Sequence, residues 1–329
     1  MHDASATDCT APYQHDNLTV NTSRDAEEGL RHVSDLLERV AGAPITWGVD
    51  GSPGWGFLMD RDRVLREMVE SGLSATELGP DGYLPTDPVE LQEFLDRYDM
   101  SIVGGFVPAL LYREDRVDEQ LAYVTRAARQ LASTGSDVLV LGPSSANPGY
   151  DTPVDMSDEE WATFLGNLHR LQSIVGDAGL ETALHPHWGL AIATGPDIDR
   201  LLDTSDVGIC LDTGHAYLGG ADPVEVAKAA GDRVLHVHLK DVDAAKAERV
   251  RNGEVAFREA VLDGLFVPLG EGGVDIAGVI STLEDQGYRG WYVLEQDVSL
   301  KSDPPDGEGP KADAIDSVAF LRDLVGEPA

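Results

Sequence analysis

The chain has 329 residues and carries 59 acidic against 24 basic side chains, a formal net charge of −35. A surface of that sign repels phosphate backbones, which excludes a nucleic-acid partner, and no apolar run approaches the ~20 residues a membrane helix needs. Only five of the 24 bases are lysine, an acid-rich and lysine-poor balance that suits a protein kept dissolved in concentrated salt.

The first segment, "MHDASATDCTAPYQHDN", has neither a basic start nor an apolar stretch, so it does not read as a signal peptide. Cys9 and Cys210 are the only cysteines, one in a polar tail and the other in an apolar strand. They do not suggest a disulfide, and a reducing, cytoplasmic setting is expected. Residues 1–24 read as a disordered polar tail. Leu30, Val33, Leu36, Leu37 and Val40 recur at helical spacing, which predicts an N-terminal helix within 25–43.

From residue 44 to the C-terminus, short apolar strands alternate with amphipathic stretches. The strands are expected at 45–50, 75–80, 101–109, 137–143, 181–187, 207–215, 234–242 and 291–297. Helices are expected near 60–72, 88–97, 115–134, 157–179, 195–204, 222–231, 275–287 and 313–324. Ser157 with Glu160 three residues on forms a capping box at one helix start. Eight strands, each followed by a helix, predict an α/β fold, a single-domain (β/α)8 barrel. No GxGxxG follows the first strand, which argues against a dinucleotide-binding sheet. A long charged segment, 243–267, follows the seventh strand and reads as a lid or interface element.

In such a barrel the chemistry sits at the C-terminal strand ends. Glu77 ends the second strand, His185 and His187 the fifth, Asp212 and His215 the sixth, and Glu295 and Asp297 the eighth. The seventh carries His236, His238, Lys240 and Asp241, with the two histidines and the lysine on one face by alternation. Five of the nine histidines fall between 185 and 238, on three consecutive strands, which scattered structural histidines would not do. Singly, each residue has a plainer reading: Glu77 as a cap or ion pair, Asp212 as an Asx turn, Asp241 and Asp297 as caps or rim charges, His236 as a core or supporting histidine. Together, Asp212, His238 and Glu295 point to a divalent cation held by oxygen and nitrogen donors without thiolate.

The stretches "LDTGHAYLGGADPVEVAKAAGDRVLHVHLKDVD" and "GLFVPLGEGGVDIAGVISTLEDQGYRGWYVLEQD" resemble the xylose isomerase-like sugar isomerase/epimerase superfamily, and within it the inosose dehydratases. "PGWG" and "ATELGPDGYLP" are similar to that group as well, and the likeness spans roughly residues 44–325. The resemblance implies one divalent metal, Mn²⁺ or Co²⁺ ahead of Mg²⁺ or Zn²⁺, held by Asp212, His238 and Glu295. It also implies an acid at the end of the fourth strand, but here that stretch reads "LVLGPSSA", with Gly142 and Pro143. His185 stands where related sugar epimerases carry a glutamate, so it is the candidate fourth ligand, the alternative being three protein ligands with extra water.

The implied reaction is proton removal beside a carbonyl of a small polyol or keto-sugar, ending in dehydration, with epimerisation or isomerisation as the alternative outcome. His215, His187 and Lys240 are the candidate catalytic groups, and Glu77, Trp55 and Trp188 the candidate substrate contacts, with Trp47 a further aromatic. β-Elimination from 3-keto-glycosides and a non-catalytic sugar-binding or partner subunit also remain open, as does a homo-oligomeric state. An endonuclease of the same superfamily is rejected on charge.

Overall fold

A computed structural model describes residues 35–326. The strands are β1 (Val40–Gly42), β2 (Ala75–Glu77), β3 (Ser101–Gly104), β4 (Phe106–Ala109), β5 (Val138–Pro143), β6 (Glu181–Leu184), β7 (Gly208–Asp212), β8 (Val234–Leu239), β9 (Asp241–Val242), β10 (Phe266–Val267) and β11 (Tyr292–Leu294). The helices are α1 (Arg61–Glu70), α2 (Pro88–Asp96), α3 (Val117–Ser133), α4 (Asp158–Asp177), α5 (Gly195–Thr204), α6 (Thr213–Leu218), α7 (Pro223–Ala230), α8 (Ala244–Arg251), α9 (Phe257–Leu262), α10 (Ile276–Asp285) and α11 (Pro310–Leu324).

Nine of the strands form one parallel sheet in the order β3-β2-β1-β11-β8-β7-β6-β5-β4. The two end strands, β3 and β4, are consecutive in the chain with only Gly105 between them. They are two halves of one stave: β3 pairs with β2 and β4 pairs with β5. The sheet therefore closes into the expected eight-stave barrel. Apart from β4, where Phe106 and Pro108 are exposed, its strands are largely buried on both faces, and Val, Leu and Ile from the helices pack on the outside.

The first stave differs from expectation. It is Val40–Gly42, paired with β11 and with Thr76 of β2, whereas 45–50 was the expected strand. Pro44 has no N–H to give to a ladder and instead opens a 3₁₀ turn, Pro44–Trp47, closed by Gly48 in the left-handed region. The barrel thus begins at residue 40, and the end of the expected 25–43 helix is a single 3₁₀ turn, Leu37–Arg39. The rest of that helix and the 1–24 tail lie outside the described residues.

The capping box at α4 is present: Ser157 Oγ accepts from the Glu160 N–H, and the Glu160 carboxylate accepts from the Ser157 N–H. The segment after β8 folds into α8 and α9 and returns through β10, which pairs antiparallel with β9. Among the described residues no helix is long and apolar enough to cross a membrane.

Candidate active site

Apolar Ile209, Cys210 and Leu211 bury β7, and its last residue, Asp212, then caps α6. Asp212 Oδ1 accepts the His215 N–H at 2.7 Å. This leaves Oδ2 to face His185 Nε2 at 3.3 Å, Lys240 Nζ at 3.1 Å and His238 Nδ1 at 3.6 Å. The cap and the site are thus two uses of one carboxylate.

Alternation on β8 turns His236 and His238 inward, and Lys240 follows on the same side just past the strand end. The Thr213 hydroxyl holds that end in place, accepting the Lys240 N–H at 2.9 Å and donating to its carbonyl at 2.8 Å. Glu295, just past β11, is tied to the same level by its N–H to the Leu239 carbonyl. Its Oε2 lies 2.8 Å from His238 Nδ1 and 3.0 Å from Lys240 Nζ. Asp297 completes the set, 2.8 Å from Lys240 Nζ and 3.5 Å from His215 Nε2.

His185, Asp212, His238 and Glu295 each bring one donor atom within 4.8 Å of the others. Two imidazoles and two carboxylates, with no thiolate, suit a borderline or hard divalent cation. His238 Nδ1 is buried and, despite its short distance to Glu295 Oε2, is out of line for a hydrogen bond. A ring nitrogen set among carboxylate oxygens without a hydrogen bond is the arrangement a shared cation satisfies. The residues therefore fit a divalent metal.

The electrostatics agree. Burial pushes the Asp212 carboxyl up, but Lys240 and the surrounding histidines hold it well below the usual range. Glu295 is lowered likewise, against burial, by His238 and Lys240. Lys240, only 1% exposed, resists burial through Asp212, Asp297 and Glu295 and stays firmly an ammonium. His238 is raised by Cys210, Glu295 and Glu77 in spite of burial.

A cavity of about 480 Å³ opens above this set, lined by Asp50, Trp55, Phe106, Tyr150, His187, Lys240, Glu295 and Asp297 among others. Burial, with repulsion from His215, His185 and Lys240, holds the His187 ring well below its ordinary pKa. His187 Nδ1 donates to the Trp188 carbonyl at 2.7 Å, so in the neutral ring Nε2 is the proton acceptor. His215 takes the opposite tautomer. Its Nδ1 accepts the Trp188 N–H at 3.4 Å, which leaves the proton on Nε2, toward Asp297. One residue's backbone thus assigns both rings.

His215, expected to face substrate, stacks behind His187 with ring centroids 3.6 Å apart and is not among the cavity-lining residues. Phe257 and Phe266, from the segment after β8, close over it at 6.1 and 5.7 Å, and Phe266 also lies 5.0 Å from Lys240 Nζ.

Other expected positions resolve differently. Trp55 lines the cavity, anchored by its indole N–H to the Val298 carbonyl. Trp188 packs on the core and acts through its backbone. Trp47 is fully buried, donating to Glu67, so it cannot meet a sugar. Glu77 reaches the cavity floor, but its Oε1 accepts from both His236 and His238. Asp241 is no rim charge: its buried carboxylate accepts the N–H groups of Val242, Gly270, Gly272 and Val274 and clasps that loop.

No acid replaces the absent one at the end of β5. A Cβ on Gly142 would meet Phe106 Cζ at 2.1 Å, so the phenyl ring lies across that position. Sequence reasoning missed Asp50, Phe106, Tyr150, Asp297 as a partner of Lys240, and the two phenylalanines of the covering segment. Asp50 and Asp297 were detectable as acids at expected strand ends; Phe106 read as one more strand apolar.

Residues 65–324 match the xylose isomerase-like TIM barrel family. Among curated relatives, the inosose dehydratase of Geobacillus kaustophilus (strain HTA426) is 34% identical over 268 residues, covering 78% of this chain and 86% of its own length. The rhizopine catabolism protein MocC of Rhizobium meliloti is 32% identical over 265 residues, covering 78% and 81%. The crystal structure of the IOLI protein with a bound zinc atom shares the fold, with a TM-score of 0.65 at 16% identity over 88% of this chain and 98% of that one. The chain belongs to the xylose isomerase-like TIM barrel family, with inosose dehydratases among its relatives.

Proposed function

We propose that this protein is a divalent-metal-dependent lyase that removes water from an inosose, a keto-cyclitol. The observation that carries the reading is that His185 and Glu295, which cluster with the buried Asp212 and His238, line the same cavity as His187 and Lys240, in a fold whose relatives include inosose dehydratases. Mn²⁺ or Co²⁺ suits the donor set best, and the cytoplasm suits the two cysteines.

When bound by the four ligands, the metal supplies Lewis-acid stabilisation of negative charge on the ketone oxygen. His187 Nε2 takes the proton from the carbinol carbon beside the ketone, and that C–H electron pair becomes the enolate double bond. The C–O bond to the hydroxyl on the next carbon then breaks. Lys240 gives a proton to the departing oxygen, which leaves as water, and the remaining enol tautomerises to a 1,2-diketone. Lys240 is suited to this as a fixed ammonium with three carboxylate neighbours. His215 and the Trp188 backbone keep His187 in its accepting tautomer, and Phe257 and Phe266 keep water from the reacting groups.

The test is incubation with 2-keto-myo-inositol and, in turn, Mn²⁺, Co²⁺, Mg²⁺ and Zn²⁺. A diketone absorbing in the ultraviolet is expected, and no product with any of these metals would reject the proposal. Solvent deuterium entering the substrate without water loss would instead assign an epimerase.

A further inference from the structure

We propose that Glu77 is a positioning residue that decides which nitrogen of His238 meets the cation, by serving as one shared acceptor for two histidines of the same strand. The proposal rests on the reading that His238 is a metal ligand. Glu77 ends β2, is 3% exposed, and its Oε1 accepts from His236 Nε2 and His238 Nε2, each at 2.9 Å. One oxygen reaches both because residues two apart on β8 share a face, with ring centroids 5.5 Å apart.

The consequence is chemical. A carboxylate can only accept, so Nε2 of both rings carries a proton. The nitrogen left to His238 is Nδ1, the one set 2.8 Å from Glu295 Oε2 and 3.6 Å from Asp212 Oδ2. Without the acceptor, the broad two-fold torsion of an imidazole would let either nitrogen face the carboxylates. The negative charge behind the ring also makes Nδ1 a better donor, as carboxylates behind metal-bound histidines do. His236 takes no part in the cavity lining and makes this same contact with Glu77. It braces Glu77 from the side away from the ligands. Gly104 leaves room for the brace: a Cβ there would stand 3.2 Å from His236 Cε1 and 3.5 Å from Glu77 Oε1.

The test uses the full chain with ¹⁵N-labelled histidine, as wild type, Glu77→Gln (same shape, no charge) and Glu77→Met (no acceptor). Zn²⁺ affinity by chelator competition is expected to fall about 10- to 100-fold in both variants. Long-range ¹H–¹⁵N spectra of the Zn²⁺-loaded wild type should show His238 protonated at Nε2 and bound through Nδ1. The metal-free wild type should show His236 protonated at Nε2, and Glu77→Met should lose that fixed tautomer. Affinity within twofold of wild type in Glu77→Gln, or coordination through His238 Nε2, would overturn the assignment. Should Glu77→Met fail to fold by circular dichroism, Glu77→Gln decides alone. A wild type that takes up no Zn²⁺ would reject the metal reading and the coordinating role with it. The His236 tautomer, read without metal, reports the Glu77 anchor separately.

Discussion

β6, β7, β8 and β11 lead, at or beneath the cavity, into His185, Asp212, His238, Lys240 and Glu295, while the neighbouring stave ends of β4 and β5 offer Pro108, Ala109, Gly142 and Pro143. The first group is buried and mutually paired; the second presents a phenyl ring, Phe106, about one-third exposed to the cavity. The cavity therefore has a charged flank that can hold a metal and move protons, and an apolar flank beside it. An acid on β5 is not needed to make the charged flank self-consistent, because His185 supplies a donor from the next strand and Phe106 fills the space left at Gly142.

Breaking the charged flank should cost most. Asp212→Asn is expected to lower kcat/KM by about a thousandfold or more, since a Lewis-acid metal is worth several kcal/mol of transition-state stabilisation. Elemental analysis should show the metal lost with it, and a fully loaded, active Asp212→Asn would break the division between flanks. His187→Gln and Lys240→Met are expected to cost about 10²- to 10⁴-fold in kcat with metal retained. Deuterium exchange of the substrate α-proton should fail in the first and persist in the second.

Next comes the apolar flank. Gly142→Ala places a methyl inside the Phe106 ring and should destabilise the protein by about 1–3 kcal/mol in urea unfolding. Phe106→Ala should recover most of that loss in the double variant, whereas additive losses would mean the two residues are uncoupled.

The pH profile sharpens the comparison further. Burial and neighbouring cations keep His187 neutral below the ordinary histidine range, so the acid limb of kcat/KM should fall below about pH 6.5. The same lowering, shared by His215 and His236, means the unfolded chain binds these protons first. Their contribution to stability is then complete above about pH 6.5 and declines as the pH drops through that value. The smallest and most diffuse effect belongs to the surface. With a net charge of −35, the unfolding midpoint should rise from low to molar KCl, and no rise would reject the high-salt reading.

The alternation of apolar runs and amphipathic stretches made the barrel legible, because a buried parallel strand and a helix have different periods. Asp212, His238 and Glu295 were legible for a related reason: a polar residue at the end of an apolar strand has few plainer explanations once three neighbouring strands repeat it. The first stave was misplaced because Ile45, Thr46 and Trp47 are good strand residues, and only the pairing with β11 and β2 shows that Val40–Gly42 holds the place.

The residues in order were enough for the kind of fold, the candidate polar positions at the strand ends and the absence of an acid at Gly142. Tertiary structure alone decided the rest, because it depends on which side chains from distant strands share a space. It set His215 behind His187, gave the two rings opposite tautomers through the Trp188 backbone, and made Glu77, on the cavity floor, an acceptor for two histidines. It also filled the space at Gly142 with the Phe106 ring, a side-chain contact between the paired strands β4 and β5.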